Sequence, residues 1–205
     1  MLKFYRIVLF LVYKINYMFL FFLSLGIFFT HFVLAASASG PVRQTGQTTS
    51  YVAGDDGDLK KGVVWPTPRF IDIGDGTVHD ELTGLIWMKN AACWGTLSWA
   101  DALTKVSGLN AGTQSCAGYA TGIYNDWRLP NIHELLSLID SSNSNLPSGH
   151  MFSNAPSTYA SAKYWSSTTY ASTTTSAWTV DFRYGYVSDY DKTGMYSVWP
   201  VRDGQ

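Results

Sequence analysis

Charge is scarce in this chain: only 14% of its 205 residues are Asp, Glu, Lys or Arg. The formal charge is −1, and setting aside Lys3, Arg6 and Lys14 near the start leaves −4 for the remainder. Lys60-Lys61 is the only adjacent basic pair, so there is no basic stripe, and nucleic acid is excluded as a partner. Cysteine is nearly as rare. Cys93 and Cys116 are the only two, with no Cys-x-x-Cys and no paired His beside them, which makes a metal pair a poor reading. There is no Gly-X-Y repeat, hence no collagen-like stalk. Hydrolase chemistry lacks its parts too: no Gly-x-Ser-x-Gly elbow occurs, and His79, His133 and His150 stand isolated. The glycines sit in strand-turn contexts and none opens a helix after a strand, so nucleotide cofactors are not expected. An enzyme is therefore not expected.

What the chain does have is aromatic surface, with 8 Trp and 13 Tyr, a profile of extracellular β-rich modules and not of disordered chains. The first 38 residues read as a signal peptide. Basic Lys3, Arg6 and Lys14 precede an apolar run from Met18 to Phe29 and the small residues Ala35-Ala36-Ser37-Ala38. That run is shorter than the ~20 residues of a spanning helix, which favours cleavage over an uncleaved membrane anchor. The expected location is extracellular or at the cell envelope. In an oxidising compartment a Cys93–Cys116 disulfide is expected, against the alternatives of two free thiols or a metal pair.

Residues 39–64, rich in Gly, Thr, Ser and Asp, read as an extended arm or linker, with one ordered domain following over 65–205. Glycine-bearing turns at Gly74-Asp75-Gly76 and Thr83-Gly84 separate apolar runs from Phe70 to Met88, which predicts a hairpin or meander. Thr96 or Ser98 is expected to cap a helix from Trp99 to about Ser107 with Ala100, Leu103 and Val106 inward. Asn131 followed by Glu134 is a capping-box signature, and Ile132, Leu135, Leu136 and Ile139 give a second short helix its apolar face. Four short runs, 164–170, 177–182, 186–190 and 195–201, predict an antiparallel meander. Period-two alternation in the second run predicts a core face of Trp178, Val180 and Phe182 and a wet face of Thr179 and Asp181. Pro200 cannot donate a ladder bond, so its strand must end, bulge or lie at an edge there.

Three phrases carry a family resemblance: Asp126-Trp127-Arg128-Leu129-Pro130-Asn131, Tyr164-Trp165-Ser166-Ser167-Thr168, and Val198-Trp199-Pro200-Val201-Arg202-Asp203-Gly204. With Thr45-Gly46-Gln47-Thr48, Pro68-Arg69-Phe70 and Gly74-Asp75-Gly76-Thr77-Val78, they resemble the Lcl C-terminal domain family from about Thr45 to Gln205. A more distant likeness is to the formylglycine-generating enzyme fold. The resemblance implies an α+β, C-type-lectin-like fold with an antiparallel meander and two short helices. It also implies adhesion-type carbohydrate binding, since the family's named adhesin binds sulfated polysaccharides. The formylglycine chemistry uses a late cysteine pair that this chain lacks. Trp127, Arg128, Pro130, Asn131, Glu134, Trp165 and Arg202 are expected to be structural, with the Arg128 fork binding a carboxylate or carbonyls against an aromatic ring.

Sugars present C–H faces and hydroxyls, which aromatic platforms beside Asp and Arg suit. The expected ligand-binding set is Arg183, Tyr184, Tyr186, Asp189 and Tyr190, with Arg183, Lys192 and Lys163 the cations near those rings. The Asp55, Asp56, Asp58 and Asp72, Asp75, Asp80 clusters offer oxygens that calcium accepts, although turn and solvation roles are favoured and no EF-hand spacing is present. Calcium is the only cofactor weighed. The expected partners are a glycan or a surface protein, with self-association through residues 39–64 as part of an architectural alternative, a subunit of a surface fibre or matrix.

Overall fold

The computed structural model describes residues 42–156 and 162–204; the expected leader lies outside them. Among the described residues no helix is long and apolar enough to cross a membrane. Strands β1 (Phe70–Asp72), β2 (Thr77–Asp80) and β3 (Leu85–Met88) follow one another through the predicted glycine turns and pair antiparallel, with Phe70 opposite Asp80 and Val78 opposite Trp87. The last strand, β9 (Val201–Asp203), closes this four-stranded sheet by pairing antiparallel with β3.

The second sheet has the order β4-β8-β5-β6-β7, built from β4 (Thr96–Leu97), β5 (Lys163–Thr169), β6 (Ser176–Asp181), β7 (Tyr186–Asp191) and β8 (Tyr196–Ser197). β5, β6 and β7 form the expected meander. The fourth predicted run does not continue it. Its start, β8, lies beside β5 in a parallel bridge and beside β4 antiparallel, while its end crosses to the other sheet as β9. The break falls at Pro200, whose carbonyl accepts from the Met88 N–H at 3.0 Å although its own nitrogen has no proton to give. β7 is left as an edge with one neighbour.

Three helices, where two were expected, complete the described chain. α1 (Asp56–Leu59) is a single turn. α2 (Trp99–Asn110) starts at Ser98, whose hydroxyl accepts from the Asp101 N–H, and runs a turn beyond the predicted end. Its inward residues are Ala102, Val106 and Leu109 in place of Ala100 and Leu103, because those three repeat at four and three and share the stripe that meets the core. α3 (Ile132–Ser137) carries both halves of the Asn131–Glu134 capping box. It tightens at its end, where Leu138 and Ile139 bond to the carbonyls of Leu135 and Leu136.

The sheets are joined by an aromatic core. Trp199, fully buried in the crossing segment between β8 and β9, packs edge-on to Phe152 (4.7 Å) and lies 5.4 Å from Tyr164, 5.6 Å from Trp87 and 5.8 Å from Phe182. Its indole N–H donates to the Met88 carbonyl at 2.8 Å. Burial pushes the Tyr164 phenol well above the ordinary tyrosine range.

One expected face is corrected. Thr179 is buried, not wet, and its hydroxyl donates to the Ser188 carbonyl at 3.0 Å. Its direct neighbour on β5 is the fully buried Trp165, so a second aromatic layer covers that side.

Residues 42–64 do not run as an extended arm. Arg43 bridges Val63 in parallel and sends its guanidinium to the carbonyls of Leu136 and Ser137 at 2.6 and 3.2 Å. Thr45 accepts from the Ser141 N–H. Asp55 caps α1 and accepts from the Tyr51, Val52 and Asp58 N–H groups, which together hold its carboxyl below the usual range. The polar composition that reads as linker is thus consumed by caps and turns.

Cys93 and Cys116 form the expected disulfide across 23 residues enclosing β4 and α2. Replacing both by serine is expected to lower stability by about 3 kcal/mol on loop-closure entropy. For a domain of this size that shifts the thermal midpoint down by about 10 °C, readable by circular dichroism.

Candidate functional site

The β6–β7 hairpin builds the site. Its turn is closed by Asp181, whose carbonyl accepts from Gly185 and whose carboxylate accepts from the Arg183 backbone N–H. Gly185 sits at φ 70°, where a side chain would be strained, and its Cα faces Ile139 and Ser144, so the hairpin tip rests on the segment after α3. This holds Tyr184 and Tyr186 outward at 43% and 64% exposure, with ring centroids 5.4 Å apart and planes 31° from parallel. The Arg183 guanidinium lies over the Tyr184 ring at 3.8 Å and donates to the Tyr184 hydroxyl.

Strand alternation divides the five predicted binding residues. Tyr186 and Tyr190 share the face of Asp181, Thr179 and Ala177, whereas Asp189 stands opposite Trp178 on the reverse face. Tyr190 is half-buried and packs on Tyr196 at 4.8 Å, which in turn meets Trp165 edge-on at 4.8 Å. Lys163 reaches the same face, 5.4 Å from the Tyr190 ring and 3.7 Å from the Asp181 carboxylate. Lys163 is one of the cations expected near these rings, and Tyr196 lies outside the five-residue set. The pairing of strands across the sheet brings both to Tyr190. Burial raises the Tyr196 phenol pKa, with the neighbouring Tyr190 adding to the shift.

The cations near these rings do not gather into one cluster. Lys192 donates to Thr169 Oγ1 and the Thr174 carbonyl at 2.9 and 2.8 Å and lies over Trp99, Lys163 faces Asp181, and Arg183 lies on Tyr184. Each aspartate of the second acidic cluster has a turn or pairing role. Asp72 pairs with Lys89, and that contact chiefly holds its carboxyl below the usual range. Asp75 accepts from Thr77 and from the Tyr124 hydroxyl, while Asp80 accepts from Arg69. Among the described residues no group of three or more His, Cys, Asp or Glu side chains is placed to hold a metal ion.

The three long phrases meet in one place. Arg128 forks onto Glu134 at 2.6 and 2.8 Å and reaches Asp203 at 2.5 Å, and its backbone bridges Val201. The Glu134 bond is the main cause of the raised Arg128 pKa. Arg202, 4% exposed, donates to Asp126 at 2.7 Å and lies over the Tyr124 ring at 3.9 Å. Trp127 is buried and donates to the Tyr119 hydroxyl, Pro130 accepts from the Ser167 N–H, and the Trp165 indole donates to the Leu97 carbonyl. The phrases form a brace, with Glu134 serving at once as helix cap and as ion-pair partner.

Two antiparallel-rich sheets on a shared aromatic core, short capped helices and one disulfide define a small α+β domain. The family model of the Lcl C-terminal domain matches residues 76–202, and the chain belongs to that family. A comparison with curated proteins finds no match.

Proposed function

We propose that the protein is an exported, non-catalytic recognition module that binds a glycan or a surface protein through the tyrosine face of the β6–β7 hairpin. The observation that carries this is the exposed Tyr184–Tyr186 ring pair, held outward beside Arg183 on a sheet edge. Two neighbouring rings, one of them topped by a guanidinium, suit a sugar ring or a partner's apolar side chain, and both phenols offer hydroxyls to a polar rim. The architectural alternative needs residues 39–64 free to pair with another copy. Residues 42–64 instead spend backbone and side-chain bonds within the chain, which favours recognition.

A glycan array and a binding screen on bacterial and host cell surfaces, run with the chain from residue 39 onward, should give at least one ligand. Changing Tyr184 and Tyr186 to Ala, with Tyr190→Phe to spare the packed ring, is expected to weaken that binding by about tenfold or more at an unchanged melting temperature. Full binding in the folded variant would remove the tyrosine face as the site.

A further inference from the structure

A different part of the molecule holds a cavity of about 430 Å³ between the 46–48 turn, the 65–70 segment and the loop after α3. Its walls include Trp65, Pro68, Arg69, Thr48, Asp140 and Ser148. The volume lies within the roughly 300–1,000 Å³ of small-molecule sites. Gly46 sits at φ 91°, and a Cβ there would strike Asp140 and Trp65, so glycine lets the turn close against both.

Arg69 is the unusual member. It is 6% exposed, and Asp80 takes Nε at 2.8 Å and Nη2 at 2.9 Å, while Nη2 also donates to the Ser137 carbonyl at 2.7 Å. The rings of Trp65 and Phe70 lie 4.6 and 4.7 Å from its guanidinium carbon. Its remaining nitrogen, Nη1, is buried and has no hydrogen-bond partner among the described residues.

The charge around the cavity is balanced. Arg69, the one cation of the lining, is paired with Asp80, and Asp140 is the lining's one carboxylate. Such a site offers no attraction to an anion. It does offer an indole and proline rings for C–H groups, and a carboxylate and three hydroxyls for groups that both give and accept hydrogen bonds.

We infer that this cavity is a second ligand site, separate from the tyrosine face, which takes one neutral pyranose ring. Trp65 lies along the C–H face of the sugar, and Asp140, Thr48 and Ser148 meet its hydroxyls. Affinity for a single ring is of order 1 mM, as few contacts are made.

The test is saturation-transfer NMR on the chain from residue 39 onward, with the methyl α-glycosides of glucose, galactose, mannose and N-acetylglucosamine, each at about 10 mM. Transfer to at least one of the four is expected. It should persist in the Tyr184→Ala, Tyr186→Ala variant and fall at least about tenfold in Thr48→Trp, which fills the cavity from an exposed wall. In parallel, the Trp65 indole N–H resonance, assigned with Trp65→Phe, should shift with the bound glycoside and not with a heparin tetrasaccharide. That readout needs no cavity-filling variant to fold. Silence from all four glycosides overturns the inference, as does transfer that survives in folded Thr48→Trp, an unmoved Trp65 resonance, or a shift produced by the sulfated sugar alone. Loss of transfer only in the tyrosine variant would reassign the sugar to the other face.

Discussion

Trp199→Ala is expected to cost the domain about 4 kcal/mol, because the indole is fully buried and large-to-small changes of this kind remove transfer energy and leave a cavity. Phe152, Tyr164, Trp87 and Phe182 surround it, and these come from both sheets and from the loop before β5, so the space cannot be closed by moving one neighbour. The Met88 carbonyl also loses its donor in the interior. Urea unfolding followed by far-UV circular dichroism reads the loss. Trp199→Phe, which keeps most of the volume but not the N–H, should fall between the two. A loss below about 1 kcal/mol for Trp199→Ala would mean that the sheets are held together elsewhere.

Asp80→Ala should be as damaging, for an electrostatic reason. Arg69 and Asp80 are 5% and 0% exposed at their side chains and bonded at 2.8 Å, so removing the carboxylate strands a guanidinium in the interior. Breaking a buried pair from one side costs about 3–5 kcal/mol. Asp80 also accepts from the Leu82 N–H and the Thr83 hydroxyl, ordering the β2–β3 turn, so the loss lies toward the upper end. Replacing both partners together, Arg69→Met with Asp80→Leu, is expected to recover much of the stability, since no uncompensated charge remains. Thermal melts of the single and double variants check it: a double variant no better than Asp80→Ala would show that the turn bonds, and not the stranded charge, carry the cost.

Local signals in the chain are short-range, and they describe the parts that local chemistry builds. The Asn131–Glu134 box, the Ser98 cap, the glycine turns between β1, β2 and β3, and the stop at Pro200 each depend on residues within three or four positions of the backbone they shape. The inward stripe of α2 differs from the expected one because Ala100 and Leu103 fit a helical period as well as Ala102 and Leu109 do, and only the position of the core distinguishes them. Thr179 departs from its expected wet face for a similar reason: alternation shows that two faces exist but not whether the second is covered.

By itself the sequence carries the family motifs, which imply the α+β fold, and the strand runs and turns of the meander from β5 to β7, while its two cysteines leave open a pairing that the structure contains. Tertiary structure alone decided that β8 lies between β4 and β5, that Tyr190 meets Tyr196 while Asp189 faces away, and that residues 42–64 close a cavity over Arg69. The reason is physical: a strand carries its side-chain alternation in its own residues, but its neighbours are set by which buried aromatic rings can pack together across the whole chain.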